Sequence, residues 1–313
     1  MAKLSTKHSS ATHRIIIYGG PKSGKTLLAG KLSEFYDLLW FDLENGHETL
    51  FQLPESWQER IELIDIPDTR SYPIAIETCL KVVKGPVDIC ETHGKVSCMI
   101  CKKDKKEFTH TDLPAMNHNQ VVVFDSLTQL SNSAIAHITR KEPDDYKLTY
   151  NDWGNLGKLL DIFLSHIQQA GYNVIVISHE TEAETEGKKS VLVPVGGTRN
   201  FSRNIAKYFD HVIYAERKNK KHVFSSSSQY STTILTGSRT DVRIEDQKEG
   251  EEASLLPIFK PELYDSLPPE SKKPVLLGTK TKKPLIKAET TSKAGGGDSQ
   301  TKDILARLKK KVK

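Results

Sequence analysis

The chain has 313 residues, 27% of them charged and 37% hydrophobic, enough for one sizeable α/β core with an insertion or a tail. No apolar run approaches the roughly 20 residues of a membrane-spanning helix, no secretory signal opens the sequence, and four cysteines form no disulfide framework, so a cytoplasmic protein without membrane contact is expected. The net charge of +5 is unevenly spread: residues 270–313 hold 13 Lys/Arg against 4 Asp/Glu, leaving 32 basic and 36 acidic residues ahead of them. Contact with a polyanion through that tail would be electrostatic and salt-sensitive.

In chain order, residues 1–13 are polar and read as a disordered N-terminus. Residues 14–18 (RIIIY) are a β-branched run stopped by Gly19-Gly20-Pro21, which predicts a buried first strand. Residues 27–35 carry apolar side chains at helical spacing, and 38–42 (LLWFD) form a second strand. A third strand is predicted over 61–66 and a helix over 72–83. Residues 121–125 (VVVFD) are apolar as in a sheet covered on both faces, and form a fourth strand. An amphipathic helix over 153–170 precedes a fifth strand at 173–178 (NVIVIS), with further strands at 209–215 and 231–235. This alternation predicts an α/β fold, a mostly parallel doubly wound sheet, with its core over 14–264. Residues 85–118, rich in Lys, His and Cys, interrupt the rhythm and read as an insertion. Residues 265–303 read as a flexible Lys/Pro/Gly linker, and 304–313 as a short basic amphipathic segment, marginal as an isolated helix.

Gly19-Gly20-Pro21-Lys22-Ser23-Gly24-Lys25-Thr26 fits the P-loop pattern G-x-x-x-x-G-K-[ST] between a strand and a helix. Glycines let successive backbone N–H groups face phosphate oxygens, and the start of the helix adds its positive end. Lys25 would reach the β- and γ-phosphates of ATP, and the Thr26 hydroxyl would ligate Mg²⁺. Asp125, ending the fourth strand, is the natural Walker B acid and second support for Mg²⁺. Cys90-x₂-His93-x₄-Cys98-x₂-Cys101 offers three thiols and an imidazole within twelve positions, a donor set suited to a closed, structural Zn²⁺ site, with His110 as a substitute ligand should His93 point away. Cys79, in an apolar helical pattern, reads as core.

The stretches GGPKSGKT, FDLENG, VVVFDSLTQL and VIVISHE with VPVGGTRNFSRNIAKYFDHVIYAER, in that order over residues 14–245, resemble RecA-like recombinases. The likeness is greatest to small phage-encoded RecA-like ATPases associated with single-strand annealing. The resemblance implies a RecA-like P-loop fold and a DNA-stimulated ATPase acting in DNA recombination or repair. It implies Glu44 as the acid that orients the attacking water and His179 as the residue that senses the γ-phosphate. It also implies a DNA-binding loop over 180–195, polar and mobile, with Thr198, Arg199, Asn200 and Arg203 near phosphates. In this sequence that loop carries Glu180, Glu182, Glu184 and Glu186, which would repel a polyanion. Arg217, Lys218, Lys220 and Lys221 would reach a neighbouring subunit's nucleotide. The partners implied are single-stranded DNA, further copies of the chain in a ring or filament, and a single-strand-binding protein, in bacterial or phage-infected cytosol. A small-substrate P-loop kinase and a non-hydrolysing nucleotide-gated adaptor share the loop and stand as alternatives.

Overall fold

Sheet strands and crossover helices alternate from the first element. In the computed structural model, which describes residues 12–184, 190–227, 233–239, 244 and 253–260, β1 (Arg14–Gly19) enters the Gly-rich loop and α1 (Lys25–Gly30) leaves it. The helix expected over 27–35 changes at Gly30, a weak helix former, into a 3-10 turn at Lys31–Glu34. There follow β2 (Asp37–Asp42), a single turn α2 (Glu55–Gln58), β3 (Ile61–Asp65) and α3 (Ala75–Val82). The inserted segment contains β4 (Val87–Cys90), α4 (Met99–Lys103) and β5 (Phe108–Thr111). The chain returns to the sheet with β6 (Gln120–Asp125), α5 (Leu127–Thr139), α6 (Tyr150–Gln168) and β7 (Asn173–Ser178). It continues through β8 (Glu180–Glu184), β9 (Ser190–Pro194), α7 (Arg199–Asn204), β10 (His211–Lys218), β11 (Lys221–Ser225), β12 (Gly237–Ser238) and α8 (Leu256–Phe259).

The main sheet runs β11-β10-β1-β7-β6-β2-β3, with β12 also paired to β10. From β10 to β3 every pairing is parallel, and β11 and β12 join antiparallel. Alternate residues of each inner strand enter opposite cores. Ile16, Tyr18, Phe41, Phe124 and Val176 face α3, α5 and α6, where Leu130, Leu160 and Phe163 complete the packing. Ile15, Ile17, Trp40, Val123 and Ile177 face α1 and α8, against Leu28, Leu32 and Phe259. Burial on both faces explains why these strands read as unbroken apolar runs. Cys79 is fully buried in the first of these cores, as its pattern predicts.

Several expectations need correction. The described parts of the segment 180–195 are not an irregular loop: β8 and β9 pair antiparallel, with Ala183 and Val193 buried. The hairpin is pinned from a distance, since the Leu192 N–H donates to Thr233 O and the Tyr18 hydroxyl donates to Leu192 O and Leu235 O. Of the strand expected over 231–235, the described residues 233–235 form no sheet strand. Ile234 makes one isolated bridge to Leu192, and Ser231 and Thr232 lie outside the described residues. The helix Leu127–Thr139 has no counterpart in the sequence reading, although Ser126 caps it by accepting from the Gln129 N–H. Residues 1–11, the linker expected over 265–303 and the segment 304–313 also lie outside the described residues. Among the described residues, no helix is long and apolar enough to cross a membrane.

Candidate functional site

The loop after β1 is shaped by two glycines. Gly19 has φ +153°, and a Cβ there would lie 1.9 Å from the Ala215 carbonyl oxygen of β10. Gly24 has φ +90° and meets the His222 ring of β11, whose Nδ1 would be 2.7 Å from an added Cβ. Within the loop Ser23 is buried, Lys22 takes φ +61°, and Pro21 is exposed. The Lys25 ammonium folds back and donates to Gly19 O at 2.9 Å, to Gly20 O at 2.7 Å and to Ser23 Oγ at 3.4 Å. Burial lowers its pKa, against the opposing attraction of Asp125, Glu44 and Glu180. The loop's own oxygens thus hold a buried cation that has an anionic ligand as its natural partner.

β7 lies between β1 and β6, so the ends of β1, β7, β6 and β2 stand side by side. Asp125 ends β6, 4% exposed, in register with Asp42 of β2 and Ile177 of β7. The Thr26 hydroxyl donates to Asp125 Oδ2 at 3.0 Å. Burial raises the Asp125 carboxyl to about 7, with Glu44 and Asp42 adding repulsion and Thr26 and Lys25 pulling the other way. A buried carboxylate with few countercharges beside a threonine hydroxyl fits a divalent cation.

Glu44 stands in the turn after β2. Burial raises its pKa, but hydrogen bonds from His179 and Ser126, with the charges of His179 and Lys25, outweigh it, so the carboxyl is held below its ordinary value. The Ser126 hydroxyl donates to Glu44 Oε1, and His179 Nε2 lies 3.4 Å from Glu44 Oε2. Asp42 is 1% exposed and builds the turn, accepting from the N–H groups of Glu44, Gly46 and His47 at 3.1, 3.1 and 3.0 Å. His47 Nδ1 adds a contact of 2.6 Å. His179, after β7, is fixed through its N–H, which donates to Thr128 Oγ1 at 2.9 Å. Glu44, Asp65, Asp68, Thr128, Asn132 and His179 border a cavity of about 680 Å³. Ser126 is legible in sequence as support for Asp125 within VVVFDS, but not as a partner of Glu44. Two participants were not singled out from sequence: His222 shows no signal, and Glu180, counted with the acidic loop, turns toward Gly20.

Cys90, His93, Cys98 and Cys101 converge with their ligand atoms within 4.8 Å of one another. His93 Nδ1 lies 3.1 Å from Cys101 Sγ, 3.7 Å from Cys98 Sγ and 4.0 Å from Cys90 Sγ. His110 is elsewhere, its Nδ1 2.8 Å from Asp88 Oδ1. Arg199, Asn200 and Arg203 are exposed on α7, which Thr198 caps by accepting from the Phe201 N–H. Arg217, Lys218, Lys220 and Lys221 are exposed at the β10–β11 turn, where Asn219 and Lys220 take φ +49° and +67°.

A parallel sheet, a glycine-shaped loop closing on a buried lysine, and a threonine paired with a strand-end aspartate define a P-loop ATPase of the α/β class. A family model described as "AAA domain" matches residues 11–240. That match spans well over half of the chain, and the protein belongs to this family. Among solved structures, the chain is similar to the RadB recombinase, with 19% identity over 67% of this chain and 78% of that one, and a TM-score of 0.36. It is also similar to a prototypical ATPase from the type III secretion system of pathogenic bacteria, with 16% identity over 72% of this chain and 57% of that one, and a TM-score of 0.39. No curated protein matches the sequence.

Proposed function

We propose that the protein is a RecA-like ATPase of DNA recombination or repair, related to the phage-encoded annealing ATPases, that hydrolyses ATP while assembling on or annealing single-stranded DNA. The observation that carries the reading is the Glu44 carboxylate, ionised, held by Ser126 and His179, and set at the strand ends beside Lys25 and Asp125. Loop N–H groups and Lys25 bind the triphosphate, with Gly19, Gly20, Pro21, Lys22, Ser23 and Gly24 as its cradle. Thr26 and Asp125 would hold Mg²⁺, which would supply charge neutralisation to the triphosphate. Glu44 orients a water and accepts its proton as the oxygen attacks the γ-phosphorus and ADP leaves. His179, touching Glu44 and rooted at the base of the β8–β9 hairpin, registers whether the γ-phosphate is present. Arg199 and Arg203, exposed beyond that hairpin, take DNA phosphates, and Arg217 to Lys221 serve contact between copies in a ring or filament. A single-strand-binding protein is the further partner. The donor set Cys90, His93, Cys98 and Cys101 is that of a structural Zn²⁺ site lying off the reaction path.

The cavity beside Glu44 has room for a small acceptor, so a kinase is the reading to separate. Turnover of γ-labelled ATP, measured with and without single-stranded DNA, does so. The expected result is free phosphate, released faster with DNA, and a Glu44→Gln protein that binds Mg·ATP but turns over at least about 100-fold more slowly. Label on a nucleoside acceptor would establish a kinase, and turnover unchanged by Glu44→Gln would remove Glu44 from the chemistry.

A further inference from the structure

We propose that Cys90, Cys98 and Cys101 with His93 Nδ1 bind one Zn²⁺, and that the turn this metal locks is a positioning element for the Glu44 loop. The metal part rests on convergence. A tetrahedral Zn²⁺ with sulfur at about 2.3 Å and nitrogen at about 2.0–2.1 Å keeps its ligands about 3.5–3.8 Å apart. The spacings of His93 Nδ1 from the three sulfurs, 3.1 to 4.0 Å, bracket that range. Ile89 and Val96 of the insertion pack into the main core, but the cysteines do not join them. Its three cysteines form their own cluster, and among the described hydrophobic residues Phe108 packs against them. Met99 and Ile100, between two of the ligands, are 76% and 63% exposed, so neither side chain helps to close this turn. A metal staple does what so small a cluster cannot.

The positioning part rests on what the turn touches. The Gly94 N–H donates to Cys90 O at 2.9 Å, closing the turn that carries His93. Gly94 has φ +59° and lies flat on the end of β3: an added Cβ would sit 2.9 Å from Ile66 Cα and 3.2 Å from Asp65 O. The Gly94 carbonyl accepts from the buried Thr78 hydroxyl of α3 at 2.9 Å, which clamps the turn to the core. On the far side of this contact the Ile66 N–H donates to Asp42 O at 3.0 Å. Asp42 is the residue whose carboxylate gathers the N–H groups of Glu44, Gly46 and His47. A continuous path of packed backbone therefore runs from the metal ligands through Gly94, Ile66 and Asp42 to Glu44. No ligand of the metal enters the reaction; its part is to keep the strand end from drifting, and a misplacement of about 1 Å at a reacting group can cost about 100-fold in rate.

The coupling rests on Glu44 orienting the water in the proposed reaction, whereas the metal site stands without it. Three readouts on the full chain test both. Elemental analysis of protein purified without chelator should give one zinc per chain, lost in Cys98→Ser and kept in His93→Cys, which preserves a four-ligand set. A chain without zinc overturns the metal site, whatever its ATPase activity. Gly94→Ala should retain zinc, keep affinity for a non-hydrolysable ATP analogue within about twofold, and lower kcat about 10- to 100-fold. Zinc retained with kcat unchanged would overturn the positioning role. A parallel loss of kcat and analogue affinity would also overturn it, as the mark of general destabilisation. If Glu44→Gln leaves turnover intact, the assignment of Glu44 fails while the zinc count still decides the metal site.

Discussion

Asp42 illustrates how a residue can govern chemistry without touching the substrate. Its carboxylate is buried, accepts three backbone N–H groups and contacts His47, so the turn after β2 has one conformation rather than many. Removing that acceptor in Asp42→Ala leaves three part-buried donors without their partner. The expected cost is about 2–3 kcal/mol in urea unfolding, together with a fall in turnover, because Glu44 loses its support. An unchanged unfolding midpoint would mean the turn is held by other contacts. Some of this was legible from sequence. Asp42, the rival candidate to Glu44, sits inside its strand and so reads as a pairing or capping residue, and Glu44 follows from the likeness of FDLENG to the RecA-like family. The Ser126 bond to Glu44 was not legible, because 82 positions separate the two and only the β2–β6 register joins them.

The elements explain which parts of the architecture a sequence exposes. Strands β1, β6 and β7 are buried on both faces, so their apolar runs announce them, and helix α6 shows a periodic apolar face in Leu156, Leu160, Phe163 and Ile167. The β8–β9 hairpin hides because its alternation is partly acidic and its partners arrive from residues 18 and 233–235. Two glycines in different settings give predictions of opposite sign, both read by chemical denaturation. Gly19→Ala places a methyl group against the Ala215 carbonyl and should destabilise the fold and abolish tight nucleotide binding. Gly154→Ala, on the exposed face of α6 with nothing within 4 Å of the added carbon, should stabilise by about 0.5–1 kcal/mol. A stable, nucleotide-binding Gly19→Ala protein would contradict the loop geometry described above.

At the scale of the molecule, the end of the sheet opposite the P-loop carries a pH-sensitive seam. His13 and His211 lie with ring centroids 5.7 Å apart and planes tilted by 49°. Burial lowers both from 6.5 to about 4; around them Arg14 and Lys260 act on His13, Arg239 on His211, and Asp210 opposes the shift in both. The folded state therefore favours the neutral rings, and the unfolded chain binds more protons between about 6.5 and about 4. The seam's contribution to stability should be fully present above pH 6.5 and fall as pH drops toward 4, with a smaller fall in His211→Gln. Thermal melts across that window check this, and a flat profile between pH 6.5 and 5 would contradict it. The charge asymmetry of the whole chain is plain in its composition, but the basic tail lies outside the described residues, so its contribution is a matter for binding measurements.

The central claim is that loop amides and Lys25 form the triphosphate site. Calorimetric titration of the folded protein with ATP, with and without Mg²⁺, tests it most directly when Lys25→Ala is titrated alongside. One magnesium-dependent site per chain is predicted, weakened at least about 100-fold by the substitution, the loss of a charge-assisted phosphate contact. Uptake that is absent, or that Lys25→Ala leaves unaltered, would contradict the account.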